Sequence, residues 1–106
     1  PIYSPELWNV YGDALWATAD RKGATDAYQQ ALAIHPGDAR AHWSLAWTGA
    51  EMGRFETAFR HIGEALACDP EGRMRGQALQ LLDVCLRGQT QRFAAERERL
   101  AARSAR

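Results

Sequence analysis

Hydrophobic and small residues recur every three or four positions along the first two thirds of this chain, which is the spacing of one face of an α-helix. The first stripe predicts a helix over about residues 5–20, with Ser4 as its cap and Pro5 at its first position. A polar break ending in Gly23 leads to a second helix, predicted over about residues 23–35. The loop between these two helices is short, so we expect them to be antiparallel neighbours. The stripes consist of Trp8, Tyr11, Gly12, Leu15 and Ala19 in the first helix and Ala24, Ala27, Tyr28, Ala31 and Ile34 in the second.

The same helical spacing of apolar and small residues returns after Pro36, which ends the second helix. It predicts a third helix over about residues 39–52 and, after a turn at Gly53, a fourth over about residues 55–68. The stretch that begins at Asp69 ends the fourth helix. The stripes of this pair are His42, Leu45, Ala46, Gly49 and Met52 in the third helix and Phe55, Ala58, Phe59, Ile62, Ala65 and Leu66 in the fourth. We therefore expect a second antiparallel helix pair of the same size.

Residues 73–105 follow the pattern only weakly. A fifth helix is predicted over about residues 72–87, a break at Gly88, and a sixth helix over about residues 90–103. Because the terminal units of a stacked array must present a polar outer face, we interpret this stretch as a degenerate or capping pair of helices. A final helix that frays is the alternative. The apolar residues are Leu79, Leu82, Val84 and Leu86 in the fifth helix and Phe93, Ala94 and Leu100 in the sixth.

Small residues and prolines recur along the chain at one fixed offset. Ala58 follows Ala24 at the same separation at which Pro70 follows Pro36. A fixed period between about 20 and 50 residues indicates stacked repeats. Abundant alanine and scarce β-branched residues favour helix over sheet, so we predict an all-α fold. The predicted organisation is one domain over residues 1–106, with repeats at residues 5–38 and 39–72 and degenerate or capping helices at residues 73–105.

Two runs of residues in register carry a family resemblance. The first contains Trp8, Gly12, Ala24, Tyr28, Ala31 and Pro36, and the second contains Leu45-Ala46, Gly53-Arg54-Phe55, Ala58, Ile62, Ala65 and Pro70. Each resembles a tetratricopeptide repeat, and together they cover residues 5–72. The chain departs from the family where Ala19 replaces the usual turn glycine and where the large aromatic residue of the second repeat, Trp43, comes one place late. The resemblance implies a short right-handed α-solenoid of antiparallel helix pairs that serves as a non-catalytic scaffold or adaptor and binds protein.

The resemblance also implies where a partner binds, because the first helix of each repeat lines a concave groove in this family. The corresponding residues here are Asn9, Asp13, Trp16, Arg40, Trp43, Trp47, Gln77 and Leu81. A tryptophan offers about 150–250 Å² of surface, so three on one side approach the size of an exposed apolar patch that marks an interaction site. The alternative is that Trp16, Trp43 and Trp47 pack between neighbouring repeats.

The side chains of this groove narrow the kind of partner. Some family members grip the acidic carboxyl terminus of a chaperone with several cations, but Arg40 is the one clear cation here and Asp13 lies beside it in the predicted groove. That clamp is not matched. A helix or an extended peptide of a partner protein with apolar anchors fits better.

Charge divides the chain into two parts, although the net charge is zero. Residues 1–72 carry a formal charge of −5, and residues 73–106 carry +5. The arginines that dominate the second part are Arg87, Arg92, Arg97, Arg99, Arg103 and Arg106. They could meet the acidic repeats of another copy, which makes homo-oligomerisation or docking within a larger protein the second functional hypothesis. They could also simply form local pairs with glutamates, such as Glu96, on a solvated helix. Nucleic acid binding is not expected because no exposed aromatic residues are interleaved with the arginines.

No catalytic, cofactor-binding or phosphate-binding motif occurs in the sequence, so we expect no enzyme activity and no cofactor. His42 and His61 could face each other across the third and fourth helices, and we expect a hydrogen-bonded interior pair, since a zinc site normally has a third or fourth ligand. Cys68 and Cys85 fit small buried residues rather than a disulfide framework.

Location follows from what the sequence lacks. No apolar run reaches the roughly 18–20 residues that cross a membrane, and no export signal is seen, so we expect a cytoplasmic protein. A preference for arginine over lysine, together with abundant alanine, suggests a GC-rich bacterial genome.

Overall fold

Five α-helices follow one another in the computed structural model, which describes residues 4–104. They are α1 (Pro5–Ala17), α2 (Arg21–Ile34), α3 (Ala39–Glu51), α4 (Phe55–Ala67) and α5 (Arg75–Ser104). No strand occurs in this described part, so the predicted all-α fold is confirmed. The bounds of α3 are those of α1 shifted by one repeat period, as the sequence pattern requires. Arg106 and the side chain of Phe93, both named above, lie outside the described part of the chain.

Short polar side chains set the starts of the first three helices. The Ser4 hydroxyl accepts a hydrogen bond from a backbone N–H in the first turn of α1. A carboxylate oxygen of Asp20 accepts one from the N–H of Gly23 at 2.9 Å, and Asp38 begins α3 in the same way. These caps satisfy N–H groups that the first turn of a helix leaves unpaired. Because Asp20 is a cap, α2 begins at Arg21, two residues before its predicted start.

Small side chains let the two helices of each pair approach closely. A Cβ atom added to Gly12 of α1 would lie 2.5 Å from Cε1 of Tyr28 in α2. The ring of Tyr28 therefore occupies space that is available only because residue 12 is glycine. In the second helix of each pair the buried alanines are Ala24, Ala27 and Ala31 in α2 and Ala58 and Ala65 in α4.

The helix pairs stack in sequence order, as in a short solenoid. α2 packs against α3, and α5 packs against both α3 and α4. Leu45 of α3 joins Ala24 and Tyr28 in a buried cluster between the first two pairs. A second cluster lies between the second pair and α5 and consists of Ala46, Ala58, Ile62, Ala78, Leu81 and Cys85.

Some residues predicted in apolar stripes are exposed. Tyr11 is 51% exposed, whereas Leu45, its equivalent in the second repeat, is only 5% exposed. The α1–α2 pair covers Leu45, but no described helix lies on the corresponding side of α1. Ile34 and Met52 are exposed as well, since they lie at the ends of their helices. Ala19 lies beyond α1, in the turn.

One helix, α5, replaces the predicted fifth and sixth helices. It runs without interruption for 30 residues, and the predicted break at Gly88 is wrong. A Cβ atom at Gly88 would come within 2.9 Å of Cζ of Phe55, so this glycine lets α5 lie against the start of α4. Every side chain described from Ala94 to Arg103 is exposed. The last turns of α5 therefore project beyond the stacked helices.

The molecule is consequently elongated, with principal extents of 60 × 30 × 19 Å. A 30-residue helix alone is about 45 Å long. None of the described helices combines the length and the apolar character needed to cross a membrane.

Candidate functional site

Two tryptophans one turn apart on α3 form the centre of the candidate surface. The rings of Trp43 and Trp47 stack with centroids 5.8 Å apart and an angle of 24° between their planes. Trp43 is partly buried against the cluster that α3 and α4 share with α5. Trp47 is 36% exposed, and its ring is supported from below by Trp43. The stacked pair therefore holds the large aromatic ring of Trp47 in a defined, solvent-exposed position.

An apolar groove lies beside Trp47, where α3 and the start of α4 meet α5. Its volume is about 270 Å³. We call it the Trp47 groove, and its lining consists of Trp47, Ala50, Glu51, Phe55, Leu81, Val84 and Gly88. Val84 on the α5 side is 55% exposed. Glu51 is the only charged residue in this lining. The groove thus offers apolar contacts with one carboxylate on its wall.

Arg92 holds α5 against the adjoining turn between α3 and α4. Its guanidinium donates a hydrogen bond to the carbonyl oxygen of Gly53 at 2.8 Å, and its Cζ lies 5.8 Å from the centre of the Phe55 ring. A second, more polar depression on this side shares Phe55 with the Trp47 groove. Arg92, one of the arginines of the positively charged second part of the sequence, is therefore engaged within the chain.

Two of the predicted groove residues, Asn9 and Leu81, are buried. Asn9 is 1% exposed and donates a hydrogen bond from Nδ2 to Asp38 at 2.8 Å, which ties α1 to the cap of α3. Leu81 is 2% exposed and forms the floor of the Trp47 groove as part of the core. Each of these side chains therefore exposes very little surface, although Leu81 still lines the bottom of the Trp47 groove. Gln77 of α5, in contrast, is exposed.

Asp13 and Arg40 are accessible, but they are also engaged within the chain. Asp13 accepts a hydrogen bond from the Tyr28 hydroxyl at 2.6 Å and forms an ion pair with Arg40 at 2.5 Å. Asp13 therefore links α1 to both α2 and α3. Burial raises the pKa of Tyr28, and so do the hydrogen bond and the negative charge of Asp13. This arrangement joins the two helix pairs and leaves each charged group about half exposed.

Trp16 lies apart from the other two tryptophans. It is partly buried against the cluster of Ala24, Tyr28 and Leu45, and the guanidinium of Arg21 lies 4.8 Å from its ring centre. Its packing against the inter-pair cluster matches the alternative that the sequence left open for the tryptophans. The structure thus brings Trp43, Trp47 and Leu81 together and leaves Trp16 outside the Trp47 groove.

Phe55 and Gly88 belong to the Trp47 groove, although sequence reasoning did not include them. The sequence pattern places Phe55 in the apolar stripe of the fourth helix and predicts a break at Gly88. A glycine inside a segment that is otherwise rich in helix-forming residues is a signal for close helix contact. Such a glycine is present at Gly88, where the structure shows α5 close to Phe55.

A pair of histidines lies on the α3–α4 contact, as expected from the sequence. Nδ1 of His42 is 3.1 Å from Nδ1 of His61, and Nε2 of His42 is 3.0 Å from the carbonyl oxygen of Pro36. Burial, followed by the neighbouring His42 and Arg60, lowers the pKa of His61 to about 4. The expected hydrogen-bonded contact is confirmed. Both cysteines are free, with Cys85 buried and Cys68 partly buried.

Comparison with known proteins supports the repeat arrangement. Residues 5–48 match the family model described as tetratricopeptide repeat. The match covers α1, α2 and most of α3. Among curated proteins, none matches the chain in sequence.

Proposed function

We propose that this chain binds a helix or an extended segment of a partner protein at the Trp47 groove. Residues 5–48 match the model of the tetratricopeptide repeat family, whose members serve as protein-interaction scaffolds, and this match supports the proposal. The observation that carries the proposal is the exposed Trp47 ring, which stacks on Trp43 and lines an apolar groove together with Val84. We take residues 5–38 and 39–72 as the repeats and α5 as the helix that caps them. The proposed role is that of a non-catalytic scaffold or adaptor.

The energetic argument rests on rigid display of the aromatic surface. Trp47 lies on a helix, its ring is stacked on Trp43, and Trp43 is in turn packed against the core. Ordering a flexible side chain at an interface costs about 0.5–1.5 kcal/mol. Much of this cost is already met in the free protein, since the stacking restricts the Trp47 ring. Tryptophan is also strongly enriched among the residues that dominate interface energies.

The size of the groove favours an anchoring side chain over a small molecule. Pockets that enclose small molecules typically measure about 300–1,000 Å³, and the Trp47 groove is smaller, at about 270 Å³. It is also open to solvent, and two of its lining residues, Trp47 and Val84, are exposed. One or two apolar side chains of a partner segment would fill it. Glu51 would favour a basic residue next to these anchors.

The test is direct binding of peptides selected from a randomised library against the intact chain. Trp47→Ala should weaken the selected peptides by about 30-fold or more, because loss of a central aromatic anchor costs about 2 kcal/mol. Tyr11→Ala is the matched control, since Tyr11 is an exposed aromatic residue outside the groove and should change affinity by less than about twofold. Circular dichroism should show an unchanged fold for both variants. Equal binding by wild type and Trp47→Ala would contradict the proposal.

Self-association is the second candidate function, and one feature of α5 favours it. Leu79 and Leu86 lie seven residues apart on α5, and about half of each side chain is exposed. Their spacing places them on one face, as in a helix that pairs with another helix. Light scattering after gel filtration, at low and high salt, distinguishes the two candidates. A dimer that the double substitution Leu79→Glu with Leu86→Glu converts to monomer would support pairing through α5, whereas a monomer at all concentrations would exclude it.

A further inference from the structure

Three side chains with metal-binding atoms converge where α3 and α4 pack together, and a fourth, His61, lies beside one of them. A ring nitrogen of His42, a carboxylate oxygen of Glu64 and Sγ of Cys68 all lie within 4.8 Å of one another. Nδ1 of His61 is 3.1 Å from Nδ1 of His42, next to this group. Glu64 and Cys68 lie one turn apart at the end of α4, and His61 lies one turn before them on the same face. The sequence offered only the two histidines, and the fold adds the third and fourth donors.

We propose that His42, His61, Glu64 and Cys68 form a binding site for one divalent transition-metal ion, with Zn²⁺ preferred. Imidazole nitrogen, thiolate sulfur and carboxylate oxygen are the donors that Zn²⁺ takes in proteins, most often four at a time. A mixed set of nitrogen, sulfur and oxygen donors excludes Mg²⁺ and Ca²⁺, which require oxygen ligands. The carboxylate and the thiolate together balance the two positive charges of the ion.

The orientation of His42 is the observation that makes this more than a cluster of polar side chains. Its Nε2 lies 3.0 Å from the carbonyl oxygen of Pro36, which can only accept a hydrogen bond. Nε2 therefore carries the hydrogen of the neutral ring, and Nδ1 keeps its lone pair. Metal-binding histidines almost always donate their second ring N–H to a carbonyl or carboxylate in this way, because that bond fixes the tautomer and the ring plane. His42 is buried, so its ring is held in this orientation by the protein.

The distances allow an ion with small side-chain movements. With Zn–N bonds of about 2.0–2.1 Å, two nitrogens on a tetrahedral ion lie about 3.3 Å apart. The Nδ1 atoms of His42 and His61 are already 3.1 Å apart. Sulfur and oxygen ligands lie roughly 3.3–3.7 Å from the other donors around an ion. The ligand atoms of His42, Glu64 and Cys68 lie within 4.8 Å of one another, so Glu64 and Cys68 would move inward by at most about 1.5 Å relative to His42. Glu64 is exposed and Cys68 follows the last residue of α4, so both have room to move.

Binding of the ion changes the protonation of Cys68 and His61, and each proton is accounted for. The Cys68 thiol loses its proton to solvent and becomes the thiolate ligand. In the metal-free protein one hydrogen lies between the two Nδ1 atoms, and it belongs to His61 because His42 carries its own on Nε2. On binding, the His61 hydrogen moves to its Nε2 by tautomerisation, which frees Nδ1 for the ion. The ion then joins α3 to the end of α4 and stabilises the second repeat.

The experiment uses the intact, tag-free chain, stripped with a chelator, kept reduced and titrated with Co²⁺ and then Zn²⁺. The expected result is one Co²⁺ per chain with a thiolate-to-cobalt charge-transfer band and the visible bands of tetrahedral cobalt, both removed by one equivalent of Zn²⁺. The midpoint of thermal unfolding should rise by about 5 °C or more in excess Zn²⁺. Absence of a charge-transfer band, or of any stoichiometric binding, would overturn the proposal.

Two variants and a control assign the ligands. Cys68→Ser should abolish the charge-transfer band, and Glu64→Gln should weaken Zn²⁺ binding by about tenfold or more. Glu64 is exposed, and the substitution conserves its size, so this variant keeps its fold. Cys85→Ala is the matched control, because Cys85 is the other free cysteine, lies in the core on α5 and should leave the band unchanged. A band that survives in Cys68→Ser, or is lost in the folded Cys85→Ala variant, would show that the assignment is wrong.

Discussion

Ala19 and Gly53 occupy the same place in successive helix pairs and share a left-handed backbone conformation. Their φ angles are +66° and +72°, respectively. The next residue in each turn closes the same hydrogen bond, from the N–H of Asp20 to the carbonyl of Leu15 and from the N–H of Arg54 to the carbonyl of Gly49. This is the usual way for a helix to end in a glycine, but the first repeat makes the turn with alanine.

Exchanging these residue types should therefore change stability in opposite directions. A left-handed conformation costs an alanine about 1–2 kcal/mol, whereas glycine adopts it freely but loses more entropy on folding. We expect Ala19→Gly to raise the free energy of unfolding by up to about 1 kcal/mol and Gly53→Ala to lower it by about the same amount. Urea unfolding measures both. Ala14→Gly, at an exposed helical position in α1, is the control and should destabilise the protein. A lower free energy of unfolding in Ala19→Gly would contradict the prediction.

Two other glycines should respond in opposite ways to the same substitution. A Cβ atom at Gly12 would lie 2.5 Å from the Tyr28 ring, which is buried and anchored to Asp13 through its hydroxyl. Nothing lies within 4 Å of a Cβ atom at Gly63, which is also inside a helix. Gly12→Ala should lower the free energy of unfolding by about 1–3 kcal/mol through overpacking. Gly63→Ala should raise it by about 0.5–1 kcal/mol through helix propensity. Thermal unfolding of the pair measures both, and shifts of the same sign would show that the α1–α2 contact is looser than described.

Alkaline pH should destabilise the protein through Tyr28. Its pKa is raised in the folded protein, so above the ordinary tyrosine value of about 10 the unfolded chain loses this proton before the folded chain does. The stabilisation is fully present below about pH 10 and is lost as pH rises, with a slope approaching about 1.4 kcal/mol per pH unit for one group. Urea unfolding between pH 8 and about 11 measures this. Tyr28→Phe should flatten the decline of the free energy of unfolding with pH. Tyr11→Phe, which changes an exposed ring, should leave that decline unchanged. An identical slope in wild type and both variants would refute the role of Tyr28.

A continuous α5 makes the molecule longer than a compact chain of its size. The radius of gyration of the Cα atoms is 16.3 Å, compared with about 13 Å for a compact domain of 106 residues. Small-angle X-ray scattering of the monomer should give about 16 Å and a maximum dimension near 60 Å. A chain ending after Gln91, which lacks the projecting turns, is the control and should be clearly more compact. A radius of gyration for the full chain as small as that of a compact domain would indicate that α5 folds back on itself.

The sequence by itself determined the helices and their order. Apolar spacing placed the first four helices within about three residues of their ends, because burial of one face and the caps at Ser4, Asp20 and Asp38 act locally. The fixed repeat period determined the stacked pairs, since equivalent alanines must meet equivalent neighbours. The contact of His42 with His61 followed from the same register.

Only the tertiary structure decided which side chains face solvent, because the exposure of a side chain depends on which other helix packs against its face. Asn9, Trp43 and Gln77 hold equivalent repeat positions, yet one is buried, one is half-buried under Trp47, and one is exposed. Local spacing places them on the same face of a helix and carries no information about the neighbouring helix. Gly88 shows the same limit. Its backbone freedom predicts a helix break, but α5 is continuous, and the glycine is needed because the Phe55 ring leaves no room for a side chain.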